Sequence, residues 1–178
     1  ISSNMDTVTE SEMAQAMHDA GGVGILHRFM TTEEQASEIE SVSGTVGASV
    51  GVNEDYIEHI DTYLEAGADF ICIDIAHGHL SLCLEAVSEI SAEYPSVDLM
   101  AGNVATGEAA IDLLEAGADS IKVGIGGGSA CRTREVAGVG VPQFTAVRNV
   151  AEAVPDSAHV IADGGVQKSG DIVKALMA

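Results

Sequence analysis

The amino-acid sequence predicts an α/β fold in which parallel strands alternate with helices and curl into a (β/α)8 barrel, the TIM barrel, with about seven of the eight strands inside these 178 residues. Three observations carry that expectation. Seven apolar, strand-like runs alternate with seven helical patterns at even spacing, and no Pro-rich or charged linker interrupts them. The stretch Leu64-Glu-Ala-Gly-Ala-Asp69 returns letter for letter as Leu114-Glu-Ala-Gly-Ala-Asp119, fifty residues on, and the interval holds two helix-strand units of about 25 residues each. Each strand-like run also ends in polar or glycine residues, which suits the loop rim where such barrels build their sites. An open doubly wound sheet is the competing architecture, and the even spacing favours closure.

In chain order, the expected strands are Ile1 to Asn4, Val23 to His27, Thr45 to Val50, Phe70 to Asp74, Val97 to Gly102, Ser120 to Gly124 and His159 to Asp163. The helices fall at Glu10 to Ala20, Thr32 to Val42, Glu54 to Ala66, Leu80 to Tyr94, Thr106 to Ala116, Pro142 to Ala153 and Ser169 to Ala178. Gly67 and Gly117 supply the left-handed residue that closes a helix, and an apolar strand follows each. Asp19-Ala20-Gly21-Gly22 before Val23 is a looser third copy. The chain opens inside a strand and stops inside a helical pattern, so residues 1–178 read as one partial barrel domain cut at both ends, with an eighth strand expected past Ala178.

With 46% hydrophobic residues the chain has ample material for a core. Against 28 Asp and Glu stand 7 Lys and Arg, a formal charge of -21, which argues against nucleic-acid or anionic-membrane partners. Such acidity fits a high-salt cytoplasm or a merely acidic enzyme equally well. Three cysteines without regular spacing, no signal-like segment and no long apolar run point to reducing cytoplasm.

The run Lys122 to Arg134 holds three of the seven cations and no carboxylate. Its glycines at 124, 126, 127 and 128 let backbone groups converge on a phosphate or, through carbonyls, on a monovalent cation. Cys131 lies in the same loop beside Arg132 and Arg134, whose charge favours the nucleophilic thiolate, whereas Cys72 and Cys83 read as small buried thiols. Thr133 is a candidate proton carrier or an ordinary loop hydroxyl. Asp163-Gly164-Gly165 suits ribose hydroxyls and phosphate, or merely caps the next helix. Asp74 shares a strand face with Cys72 and Phe70, and meets either a ligand hydroxyl or a neighbouring loop. His77 and His79 lack further residues at metal-ligand spacing.

At Gly126-Gly-Gly-Ser-Ala-Cys-Arg-Thr-Arg134, together with Ser3-Asn-Met-Asp-Thr7, Ile73-Asp-Ile-Ala-His-Gly-His79, Ala101-Gly-Asn-Val104, Gly138-Val-Gly-Val-Pro-Gln143 and Ile161-Ala-Asp-Gly-Gly165, the chain resembles the IMP dehydrogenase and GMP reductase family over its whole length. The resemblance implies a homotetrameric (β/α)8 oxidoreductase of purine metabolism that binds a purine nucleoside monophosphate beside a nicotinamide cofactor. It makes Cys131 the nucleophile that forms a covalent thioimidate at purine C2 and Thr133 the residue aiding proton transfer. It places Asn4, Met5, Ser129, Asp163, Gly164 and Gly165 on the nucleotide and Asp74, Asn103, Gly124 and Gly126 on the cofactor. It assigns the carbonyls of Gly126, Gly128 and Cys131 to a monovalent cation, potassium.

Within that family the regulatory CBS insertion is missing, because only Ser41 to Gly44 separates Glu40 from the next strand. Leu26-His-Arg-Phe29 and Ala48-Ser-Val-Gly-Val52 are similar to short bacterial-type reductases. The expectation is therefore an NADPH-dependent GMP reductase yielding IMP and ammonia. The alternative is an IMP dehydrogenase making XMP with NAD, in which Met5-Asp-Thr-Val-Thr-Glu10 is equally at home. Gly127 and Arg132 depart from the family's usual Pro and Thr. The rival readings are a catalytically silent nucleotide-binding barrel and an unrelated phosphosugar enzyme.

Overall fold

A computed structural model describes residues 1–53, 55–128 and 131–178 of the chain. Among these the strands are β1 (Gly24–Leu26), β2 (Val46–Val50), β3 (Phe70–Asp74), β4 (Asp98–Val104), β5 (Ser120–Val123) and β6 (His159–Ala162). The helices are α1 (Ser11–Asp19), α2 (Thr32–Glu40), α3 (Tyr56–Glu65), α4 (Ser81–Glu93), α5 (Gly107–Ala116), α6 (Thr133–Val136), α7 (Gln143–Ala151) and α8 (Ser169–Met177). All strand pairs are parallel and neighbours in sequence are neighbours in the sheet, β1-β2-β3-β4-β5-β6, which is the arrangement of a partial (β/α)8 barrel.

The alternation of side chains along each strand separates two apolar layers. Ile71 and Ile73 of β3, Leu99 and Ala101 of β4, and Ile121 and Val123 of β5 face the helices, where they join Ile39, Ile60, Ile90, Leu113 and Val150 in one continuous core. Ile25, Cys72 and Met100 face the other way, into the lumen, with Phe70 and Ile161 against them. That parity also sends Asp74 and Lys122 inward at the mouth, so the core layering already decides which polar residues reach the site.

The repeated Leu-Glu-Ala-Gly-Ala-Asp stretch has the same job in both copies. Gly67 (φ 104°) and Gly117 (φ 115°) take the left-handed conformation that ends α3 and α5. The Asp69 carboxylate then accepts the N–H of Val46, and that of Asp119 the N–H of Leu99, each at 2.8 Å. The same two aspartates donate their own N–H groups to the carbonyls of Val46 and Leu99. Each copy thus clamps the entry of one strand onto its neighbour and sets the register. At helix starts, Thr31 and Glu34 form a reciprocal capping box on α2, and Thr106 caps α5.

Three elements differ from expectation. Ile1 to Asn4 is not a strand: toward β1 it makes one backbone bond, Ser2 N–H to Val23 O at 3.0 Å. The Ser3 carbonyl, which a ladder would need, instead accepts the N–H of Met5 and the Thr9 hydroxyl. The described strands therefore number six rather than seven. β4 runs two residues past Gly102 to Val104, with a register shift against β5. The short helix α6 follows Cys131 where a loop was expected. The expected start of the third helix, Glu54, lies outside the described residues.

Candidate active site

The strand ends gather around one buried ammonium. Lys122 on β5 is 3% exposed, and its Nζ donates to Asn4 Oδ1 at 2.7 Å and Asp74 Oδ1 at 3.0 Å. It stands 3.4 Å from Asp163 Oδ2. Burial alone would lower the pKa of this amine, but Cys72, Asp163 and Asp74 outweigh it and hold the pKa above the usual lysine range. At neutral pH the two carboxylates do this work, because burial pushes the Cys72 thiol up to about 12 despite the nearby Lys122. Asn103, at the β4 register shift, donates through Nδ2 to Asp163 Oδ2 at 2.7 Å and to the Gly124 carbonyl at 2.9 Å. Asn4 donates to Ser49 Oγ at 3.0 Å, which ties the N-terminal segment to β2.

This polar cluster is a wall between two clefts. The wider, of about 590 Å³, lies over the lumen and includes Asn4, Lys122, Asp163 and Gly164 above an apolar floor of Ile25 and Met100. The narrower, of about 310 Å³, is lined by Arg28, Asp74, Asn103, Gly124, Gly126 and Cys131, with Thr133 at its edge. Arg28 Nε donates to the Asp74 carbonyl at 3.1 Å, and its guanidinium lies 4.9 Å from the centre of the exposed Phe29 ring.

The loops carrying these residues interlock through glycine. Gly124 (φ 155°) lies so close to the Asp163 carbonyl that a Cβ could not fit, and a Cβ on Gly164 (φ 84°) would sit 3.1 Å from Gly128 N. Gln143 of α7 braces both loops: its Nε2 donates to Val123 O at 2.7 Å, and Gly165 packs on its side chain.

Cys131 is exposed at the end of the glycine loop, with Sγ 3.2 Å from Thr133 Oγ1 and its N–H on the Gly128 carbonyl at 3.1 Å. The hydroxyl and N–H of Thr133, with help from the Gly126 N–H and the Arg134 charge, hold the thiol pKa below its usual value. Arg134 lays its stem against Gly126 and Gly140. Arg132 stands in solvent, 3.7 Å from Glu135.

Of the residues expected from sequence, Asn4, Asp163 and Gly164 share the wide cleft, and Asp74, Asn103, Gly124, Gly126, Cys131 and Thr133 share the narrow one. Met5 is exposed and lines neither cleft, and Ser129 lies outside the described residues. His79 spends Nε2 on Asp112 at 2.7 Å. Sequence reasoning overlooked Lys122, Arg28 and Gln143. The parity of β5 was the available signal for Lys122, since Ser120, Lys122 and Gly124 alternate with apolar Ile121 and Val123. No helix among the described residues is long and apolar enough to cross a membrane.

Comparison with known proteins gives a family match described as the IMP dehydrogenase / GMP reductase domain over residues 1–178. The inosine-5'-monophosphate dehydrogenase of Borreliella burgdorferi is 40% identical over 232 residues, covering 100% of this chain and 57% of that protein. Those of Pasteurella multocida and Aquifex aeolicus are 53% and 54% identical, over 88% and 75% of this chain and 33% and 27% of theirs. The chain thus spans little more than half the length of the first relative and about a third or less of the other two.

Proposed function

The chain belongs to the IMP dehydrogenase / GMP reductase family, and from that premise we propose that it carries the chemistry of an IMP dehydrogenase, oxidising IMP to XMP with NAD. The observation that bears most weight is Cys131. It is an exposed thiol with a lowered pKa, on a glycine loop, at the edge of the narrow cleft that Asp74 and Asn103 also line. The relatives named above, all called inosine-5'-monophosphate dehydrogenase, favour this second of the two expected reactions over the reductase.

In this reading the ribose and phosphate of the purine nucleotide occupy the wide cleft, the hydroxyls on Asp163 and the phosphate near Gly164 and Gly165, and the base reaches across the wall to Cys131 at the edge of the narrow one. Asn4 completes that side. The Cys131 thiolate adds to purine C2, the C2–H departs as hydride, and the C2–N3 double bond re-forms to leave a thioimidate on the sulfur. Water then adds to C2, Thr133 relays its proton, and the thiolate leaves to release XMP. The nicotinamide cofactor supplies the hydride acceptor. The residues of the narrow cleft fit it: the Asp74 carboxylate suits a ribose diol, and Asn103, Gly124 and Gly126 offer amide and backbone groups to the ring end. The backbone carbonyls of Gly126, Gly128 and Cys131 would supply the kind of oxygen ligand that suits potassium; of these, the Gly128 carbonyl accepts the Cys131 N–H at 3.1 Å.

The full-length protein is assayed for NAD reduction with IMP and for NADPH oxidation with GMP, alongside Cys131→Ala. NAD reduction that is lost in C131A supports the reading. Turnover confined to GMP and NADPH would make the enzyme the reductase, and C131A retaining full turnover would remove the covalent mechanism.

A further inference from the structure

We infer that Lys122 is a positioning residue that joins the two clefts, its single charge supporting a carboxylate on each side so that nucleotide and dinucleotide share one electrostatic support. The inference deepens the functional reading above and rests on it. Lys122 lines the wide cleft and Asp74 the narrow one, and the ammonium spans the wall between them. Its partners come from three parts of the chain: the N-terminal segment through Asn4, the end of β3 through Asp74, and the residue after β6 through Asp163. No side chain at 102 competes for this space, because a Cβ on Gly102 would come within 2.6 Å of Lys122 Cβ and its carbonyl.

The distances divide the oxygens of the two carboxylates. Asp74 turns Oδ1 to the ammonium, and Asp163 turns Oδ2 to the ammonium and to Asn103, while the described residues place no donor on Asp74 Oδ2 or Asp163 Oδ1. Each carboxylate is therefore anchored by one oxygen and keeps the other for a ligand hydroxyl. Without the cation, two carboxylates in a partly buried wall would repel each other, and each would lose the anchor of one oxygen.

The test measures dissociation constants for IMP and for NAD separately, by calorimetry, on full-length wild type, Lys122→Met, Lys122→Gln and Lys122→Arg. K122M and K122Q should weaken both ligands by about tenfold or more, while K122R, which keeps the charge, should hold both within about fivefold of wild type. The rate of Cys131 alkylation by iodoacetamide should change by less than about twofold in K122R, K122Q and K122M, because the sulfur takes its support from Thr133 and Arg134. A soluble K122M that binds both ligands like wild type, or loses only one of them, overturns the inference. If the neutral variants do not fold, K122R decides: near-wild-type affinities support the shared charge, and a loss beyond about tenfold in either ligand overturns it. A wild type that binds neither ligand ends the functional reading as well, whereas a wild type that binds both while K122M does so equally ends this inference alone.

Discussion

Asp119→Ala tests the strand clamp that the repeated stretch creates. The carboxylate accepts the N–H of Leu99 at 2.8 Å, at the entry of β4, and Leu99 is 1% exposed. Loss of a charged acceptor from such a donor costs about 1–2 kcal/mol, the lower part of the usual span, because the Asp119 side chain is itself exposed and water replaces part of the bond. For 178 residues the unfolding entropy is about 0.37 kcal/mol per kelvin, so the melting temperature should fall by about 3–5 °C. Asp119→Asn keeps an uncharged acceptor oxygen and should lose less than about half of that. Asp69 makes the same bond to Val46 on β2, two strand spacings or about 10 Å away, so the double variant D69A/D119A should show additive losses to within about 0.5 kcal/mol. Thermal unfolding followed by circular dichroism provides the readout. If D119A melts within about 1 °C of wild type, or D119N falls as far as D119A, the clamp does not carry the register energy assigned to it.

Two further outcomes follow from the site and the surface. The Thr133 hydroxyl and N–H, then Arg134, hold the Cys131 thiol below its usual pKa; Thr133→Val removes the hydroxyl and keeps the rest. The pH midpoint of Cys131 alkylation should therefore move upward in T133V, with less thiolate at any given pH, and an unchanged midpoint would exclude the Thr133 hydroxyl as the main support. At a formal charge of -21 the folded chain repels itself. Raising KCl from about 0.1 to about 1 M shortens the screening length from about 10 to about 3 Å and should raise the melting temperature by several degrees. A flat or falling curve would show that exposed ion pairs such as Arg132 with Glu135 and Arg148 with Glu152, rather than net repulsion, dominate the salt response.

Much of the fold was legible because its signals are local. The helix-ending Gly67 and Gly117 and the apolar strands after them are set within a few residues, and each lies where the spacing expects it. The expected strand at Ile1 to Asn4 was misread because an apolar residue followed by Ser-Ser-Asn resembles a strand end. What decided otherwise was the competition for the Ser3 carbonyl by Met5 and Thr9. Within the site, Cys131 stood out because its loop is basic in an acidic chain. Lys122 sits in the same basic run and was counted only as a cation, since its meaning lies in partners at positions 4, 74 and 163. Gln143 was part of a recognised motif, yet its role as a brace depends on Gly165 and Val123 meeting across two loops.

Residues 1–178 by themselves determined the alternation of strand and helix, the parity that sends Asp74 and Lys122 to the same face, and the reactive character of the Cys131 loop. These depend on backbone period and near-neighbour charge, which a linear chain already contains. Only the folded sheet decided that Asp163 and Asp74 flank one ammonium, that Asn103 ties Asp163 to the glycine loop, and that this cluster divides one opening into two clefts. The physical reason is separation: Asn4 and Lys122 meet at 2.7 Å across 118 residues. A buried charge finds its partners only where curvature and stagger of the parallel strands bring distant ends to the same depth.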